Sequence, residues 1–213
     1  MIIFEGVYKK YKDNILFKDI NIKFPKNKKI LIKGINGSGK SVLLKMIVGY
    51  SKPDIGTITV DNKVIGKDVD FLADAGITIN APDFMADLTG MENLKYLANI
   101  NKKVSEDKII ELVKLFDLEY NINKKYKTYS LGMKQKLRLI QAFMEEPSYL
   151  ILDEPFDALD KKTQDLLMNM LDKFIKQKNK TLIYTSHNSE YEKFADIIYE
   201  LNDYNIEKIK WFR

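Results

Sequence analysis

The stretch Gly34-Ile35-Asn36-Gly37-Ser38-Gly39-Lys40-Ser41 carries the residue types needed to grip a triphosphate. Glycines let the backbone come close to an anion, take positive φ and turn its N–H groups inward. Lys40 is placed to reach the β- and γ-phosphates, and the Ser41 hydroxyl can ligate Mg²⁺. The loop should open a helix at Val42, because a helix N-terminus favours an anion. Two further positions carry chemistry. Asp153 and Glu154 follow the apolar run Tyr149-Leu150-Ile151-Leu152, where one carboxylate can anchor Mg²⁺ and the other can position or deprotonate a water. His187, the single histidine, follows Thr181-Leu182-Ile183-Tyr184-Thr185-Ser186, and its imidazole can hydrogen-bond a phosphate or a water.

These groups meet only if strands deliver them to one edge of a sheet, since ligands of open parallel sheets bind at the strands' C-terminal ends. Lys29–Ile32, Tyr149–Leu152 and Thr181–Thr185 are short apolar runs of the buried-strand kind. Val42–Val48 reads as the helix behind the loop, stopped at Gly49. Strands are also expected at Ile2–Tyr8, Ile20–Phe24, Thr57–Val60 and Ala75–Ile79, with antiparallel pairing around Asp61-Asn62-Lys63. From about 84 to 146 the pattern turns helical. Thr89-Gly90-Met91-Glu92 has capping-box spacing, Ser105 starts a second helix, and Ser130 starts a third that stops near Pro147. Thr163–Gln177 is amphipathic, and a last strand, Ile197–Leu201, precedes a tail that reads as a packed terminal strand.

Composition narrows the class. The 213 residues, 45% of them hydrophobic, suffice for one substantial core. No apolar run approaches the ~18 residues of a membrane span, and Met1–Glu5 shows no signal-peptide pattern. The expectation is a soluble cytoplasmic protein, or one held at a membrane by a partner. There is no cysteine, hence no disulfide and no thiolate metal site. The net charge of +5 is spread along the chain without a dense Lys/Arg block, so no nucleic-acid partner is expected.

Three more stretches complete a family pattern. Tyr129-Ser130-Leu131-Gly132-Met133-Lys134-Gln135 lies upstream of Asp153-Glu154-Pro155, which is followed by Ala158-Leu159-Asp160. With the phosphate loop and Ser186-His187, the chain resembles the nucleotide-binding subunit of an ATP-binding cassette (ABC) transporter over essentially its whole length. The first stretch resembles the signature that opens a helix, and Ala158-Leu159-Asp160 the D-loop. The resemblance implies an α/β fold of the phosphate-loop NTPase kind, with a RecA-like core sheet, an antiparallel β subdomain and an inserted helical subdomain. It implies one domain over residues 1–213, with the core at 1–80 and 147–213 and the helical part at about 81–146. Two cassettes, as homodimer or heterodimer, then sandwich two ATP. Gly34 through Val42 and Tyr11 bind the nucleotide of one subunit, Tyr11 as the adenine-stacking aromatic. Ser130 and the Gly132 backbone cover it from the other, and Asp160 links the two sites. Glu154 is then the general base, His187 the γ-phosphate sensor, and Ser41, Asn80 and Asp153 the Mg²⁺ residues. Taken alone, Tyr11 is one tyrosine of 12 and reads as a strand-end residue.

Two positions depart from the family pattern. Asn80 stands for the usual glutamine, one methylene shorter and so roughly 1.5 Å less in reach. Leu131 stands for the first signature glycine, where close approach to phosphate is less free. The signature and the residues around Ala81-Pro82 resemble a bacterial-exporter subgroup. The expected function is therefore an ATPase subunit powering a separate transmembrane permease, docked around Asn80 to Leu94 through Phe84 and Met85. The alternatives are a soluble mechanical or regulatory ABC-type ATPase, or a nucleotide sensor with little turnover.

Overall fold

The computed structural model describes residues 1–12, 14–79 and 83–211. Asn80, Ala81 and Pro82 lie outside the described residues. In chain order the elements are β1 (Ile2–Tyr11), β2 (Asn14–Phe24), β3 (Lys29–Lys33), α1 (Lys40–Val48), β4 (Ile55–Val60), β5 (Lys63–Val64) and β6 (Ala75–Thr78). There follow α2 (Gly90–Asn101), α3 (Glu106–Leu115), α4 (Leu131–Met144), β7 (Tyr149–Leu152), α5 (Lys161–Lys176), β8 (Thr181–Thr185), β9 (Ile197–Asn202) and β10 (Asn205–Trp211).

Two sheets form. β1, β2, β4 and β5 pair antiparallel in the order β2-β1-β4-β5, and the others make a second sheet in the order β10-β9-β3-β8-β7-β6. In the second sheet β9, β3, β8, β7 and β6 are parallel, and β10 closes one edge as a hairpin with β9. The parallel strands bury both faces, which explains why Tyr149–Leu152 and Thr181–Thr185 lack polar alternation. Ile30, Ile32, Ile151 and Ile183 face α1 and the antiparallel sheet, whereas Leu31, Leu150, Leu152, Leu182 and Tyr184 face the helices. The expected strands are all present. β1 and β2 are longer than the local pattern suggested and meet at Tyr11 and Asn14. β10 forms the expected terminal strand.

The helical stretch is built from strong local signals. Thr89 and Glu92 exchange side-chain-to-backbone bonds of 3.1 and 2.7 Å, a complete capping box at the start of α2. Ser105 and Ser130 cap α3 and α4 as their spacing predicts. Before α2, the buried Asn93 side chain stands in for a backbone strand. Its Oδ1 accepts from Met85 N at 2.8 Å, and its Nδ2 donates to Met85 O and Thr89 O at 3.1 and 2.9 Å. Asp83 accepts from the Tyr126 hydroxyl and from Arg138 at 3.0 Å. Burial pushes the Asp83 carboxyl up, but these donors more than offset it and hold it below the usual carboxylate range. The stretch from Asp83 to α2 is thus pinned on both sides. Removing the amide with Asn93→Ala strands the Met85 N–H, while Met85 O keeps its bond from Leu88 N at 3.3 Å. It is expected to lower stability by about 2 kcal/mol in urea unfolding and to speed amide exchange over 83–88.

Candidate functional site

β3, β8 and β7 are neighbours in parallel register, with Ile32 opposite Thr185 and Tyr184 opposite Leu152. Their C-terminal ends therefore deliver Gly34, His187 and the Asp153-Glu154 pair to one edge, as the sequence pattern requires. β6 extends that edge, since Asp153 N donates to Thr78 O at 2.7 Å. A polar cleft of about 310 Å³ lies there, lined by Gly34, Ile35, Ser186, His187 and Asn188.

The phosphate loop has the expected shape. Gly39 caps α1 at φ +101°, a left-handed conformation that L side chains rarely adopt. A Cβ there would also lie 2.9 Å from the ring of fully buried Phe17. α1 runs from this point with no acidic residue in its first turn, so its N–H groups present unopposed positive potential to the loop. Lys40 is only 7% exposed. Its ammonium donates to Gly34 O at 2.8 Å and Ile35 O at 3.3 Å, and stands 3.7 Å from Glu154 Oε1. Ile35, Asn36 and Gly37 form the exposed crest of the loop, and Ser41 and Val42 are half-buried in the first turn of α1.

Glu154 is held from several sides. Its backbone takes φ +45°, and its Oε2 lies 3.3 Å from His187 Nδ1. Burial pushes its carboxyl above the usual range, helped by the Asp157 and Asp153 carboxylates and opposed by Lys40 and His187. Gln135, a buried residue of α4, donates to Pro155 O at 3.1 Å and to Glu154 O at 3.4 Å. The signature helix is thereby tied to the turn that carries Glu154, a link nothing in the local pattern announces.

The residues present suit a divalent cation and phosphate. Asp153 Oδ2, Ser38 Oγ and Thr78 Oγ1 are buried without a hydrogen-bond partner among the described residues. Ser38 Oγ lies in the loop with Lys40 and the start of α1, and Asp153 Oδ2 belongs to the carboxylate beside Glu154; orphaned oxygens so placed are what a bound metal–phosphate group would satisfy.

Other sequence-predicted residues sit apart from this edge. Ser130 is exposed at the start of α4, where its Oγ accepts from Met133 N at 3.2 Å. Leu131 beside it is 67% exposed. Gly132 packs against the loop after Glu154, and a Cβ on it would meet Ala158 O at 2.7 Å. Asp160 caps α5, accepting from Thr163 N at 2.8 Å and Thr163 Oγ1 at 3.0 Å. Tyr11 lies at the tip of β1 with its ring half exposed. Lys9 Nζ is 5.2 Å from the ring centroid, and its hydroxyl is 3.4 Å from Ser51 Oγ, beyond the far end of α1. No hydrogen bond or ion pair among the described residues joins Tyr11, Ser130, Gly132 or Asp160 to the phosphate loop. Asn80 lies outside the described residues. Phe84 is half-buried and lines a groove beside β6 together with Met85. Its ring packs edge-on against Tyr126 at 5.2 Å, because an aromatic beside the Asp83 anchor is drawn into the helical core. Met85 remains 44% exposed.

The fold and this strand edge define a phosphate-loop ATPase of the α/β class. Residues 17–157 match the family described as ABC transporter, and the chain belongs to that family of ATP-binding cassettes. It is 33% identical to the uncharacterized ABC transporter ATP-binding protein YybJ of Bacillus subtilis, over 97% of this chain and 95% of that one. It is 34% identical to the bacitracin transport ATP-binding protein BcrA of Enterococcus faecalis, over 91% of this chain and 64% of that one. The chain spans about half (51%) of a third relative, YdbJ of Bacillus subtilis, at 38% identity over 73% of its own length. Among solved structures it superposes on the dimeric, post-hydrolysis ATP-binding cassette MJ0796 bound to ADP and Pi. The TM-score is 0.85 at 27% identity, over the whole of both chains.

The raised Glu154 carboxyl has a consequence for stability. A carboxyl held above its unfolded value binds its proton more tightly in the native state, so stability falls as pH rises from the ordinary Glu range through the folded value. At neutral pH the ionised group costs stability. Glu154→Gln removes that cost, so its melting temperature is expected to exceed the wild type's at pH 7.5, with the gap closing below the ordinary Glu pKa.

Proposed function

We propose that this chain is the ATP-hydrolysing subunit of an exporter, working beneath a separate membrane-spanning permease on the cytoplasmic face of the membrane. The observation that carries this reading is the meeting of Lys40, Glu154 and His187 at one strand edge, while the signature residues Ser130 and Leu131 face outward and away from it. A triphosphate gripped at the loop is open on one side, and an exposed helix start suits its γ-phosphate. We therefore assign the missing half of the site to the signature helix of a second cassette, identical or homologous. Kinship to a relative crystallised as a dimer supports this.

In this mechanism Lys40 exchanges the Gly34 and Ile35 carbonyls for β- and γ-phosphate oxygens. Ser41 and Asp153 hold Mg²⁺, which when bound neutralises charge on those oxygens; Asn80 is assigned to the same ion. Glu154 takes the proton of the attacking water, and a carboxyl raised by burial is a stronger base for that step. His187 keeps Glu154 oriented and reads the γ-phosphate. Tyr11 offers its exposed ring to the adenine, and Asp160 sits at the cassette interface. Closing two cassettes around ATP and releasing them after hydrolysis is the motion delivered to the permease.

No helix among the described residues is long and apolar enough to cross a membrane. Transport therefore calls for a partner. A groove of about 470 Å³ beside β6 suits it, lined by Tyr50, Met85, Tyr96 and Leu97 around the pinned segment after Asp83. Tyr50, Met85 and Tyr96 are all exposed. Relatives named for import, CysA and PotA, are 31% and 29% identical. The export direction rests on the likeness of Tyr129–Gln135 to exporter signatures.

The test is capture of the tagged protein from detergent-solubilised membranes of its own cells. A polytopic membrane protein is expected to come down with it. Met85→Glu combined with Tyr96→Glu should release that partner at least tenfold while ATP binding persists. Recovery with cytosolic partners alone overturns the transport reading.

A further inference from the structure

We infer that Thr185 is a positioning residue for ATP hydrolysis, whose one hydroxyl sets both carboxylate-bearing residues at the end of β7; this rests on the roles proposed above for Asp153 and Glu154. Thr185 ends β8 and is 0% exposed. Its Oγ1 lies 2.8 Å from Glu154 N and 2.7 Å from Asp153 Oδ1. A hydroxyl has one proton to give and lone pairs to accept with. The Glu154 N–H can only donate, so the Thr185 proton must go to the Asp153 carboxylate. The direction of the chain is therefore fixed: Glu154 N–H to Thr185 Oγ1, then Thr185 O–H to Asp153 Oδ1. Each bond polarises the next.

Three consequences follow from this single atom. It occupies Asp153 Oδ1 and leaves Oδ2, which is buried without a partner among the described residues, as the oxygen available to a cation shell. It receives the N–H of a residue at φ +45°, a backbone conformation that needs support from its surroundings. That conformation carries the Glu154 side chain to its place between Lys40 and His187. Lastly, it locks the end of β8 to the end of β7 two residues before His187, so the imidazole and the carboxylate share one register. Apolar packing does not supply this link, because the partners are a backbone amide and a carboxylate.

Two pairs of variants separate the hydroxyl from the rest of the side chain. Thr185→Val keeps the volume and loses the hydroxyl; Thr185→Ser keeps the hydroxyl and loses the methyl. A second pair, Thr185→Ala against Thr185→Ser, differs only in the hydroxyl and serves if the valine variant does not fold. In each soluble variant we would measure kcat, the Mg²⁺ concentration giving half-maximal rate, ATP affinity in EDTA, and the gain in ATP affinity on adding Mg²⁺. The expected result is kcat at least tenfold lower in the valine and alanine variants and within about twofold of wild type in serine. Half-saturating Mg²⁺ should rise several-fold and the Mg²⁺-dependent gain in affinity should shrink, while affinity in EDTA stays the same. Valine strands the Glu154 N–H and an Asp153 oxygen, so it should melt no higher than serine; the Mg²⁺-dependent gain in ATP affinity, unlike the melting temperature, is a readout that a merely structural role does not move.

Equal kcat and equal Mg²⁺ dependence in the variants with and without the hydroxyl overturn the inference. Asp153→Asn and Glu154→Gln, run in parallel, keep the two failures apart. If both hydrolyse ATP like wild type, the site assignment itself is wrong. If they are impaired while Thr185→Val is normal, only the role of Thr185 falls.

Discussion

The structure depends on the parallel register of β3, β8 and β7. A phosphate loop, a histidine and a pair of carboxylates lie far apart in the chain, and only lateral hydrogen bonding between these strands brings them to one edge. These strands are short apolar runs buried on both faces, so a slip would draw the polar residues at their ends, such as Lys29, Lys33 and Asp153, into the core. The antiparallel sheet and α1 cover one face, and the helices after β6 cover the other. Both layers exist, in this sense, to keep three strand ends level. At the edge itself polar contacts take over, with Lys40 on the loop carbonyls and Thr185 between Asp153 and Glu154.

In the proposed function, one cassette is an incomplete machine at this edge. Lys40 is nearly buried and satisfied within its own loop, whereas Ile35 at the crest is 79% exposed. The outward-facing start of α4 adds an anion-attracting helix end with no acidic residue in its first turn. Gln135 runs from that helix to the backbone of Glu154, and Gly132 packs under Ala158. In the proposed sandwich, whatever pulls on the signature helix from the opposite nucleotide also pulls on the turn bearing the base. Communication between two sites would then pass through a few buried contacts.

Much of this was legible in the sequence, for physical reasons. The phosphate loop, the strand-end carboxylates and the helix caps are local: residue type and spacing alone decide what they can bond. Ser105, Ser130 and the Thr89–Glu92 box sit where their side chains foretold. Long-range partners were illegible. Thr185 looks like any strand threonine until β8 is paired with β7, and Gln135 like any helix glutamine until α4 is packed beside Pro155. The half-burial of Phe84 was illegible for the same reason. A loop aromatic gives no sign of the Tyr126 ring, 42 residues later in the chain (126 − 84), against which it packs. Tyr11 lies at the end of the β1–β2 hairpin, and the part proposed for it in base recognition rests on the family likeness.

The central claim is that each ATP site is completed by a second cassette, and subunit complementation tests it most directly. Lys40→Ala removes the phosphate grip from one copy. Ser130→Asp keeps a good helix cap but sets a carboxylate against the γ-phosphate in the other. Each variant alone should be inactive. Mixed one to one with ATP, they should regain about a quarter of wild-type turnover, the share of intact sites in a random mixture of two-fold dimers. A mixture no more active than its components would contradict the shared-site mechanism.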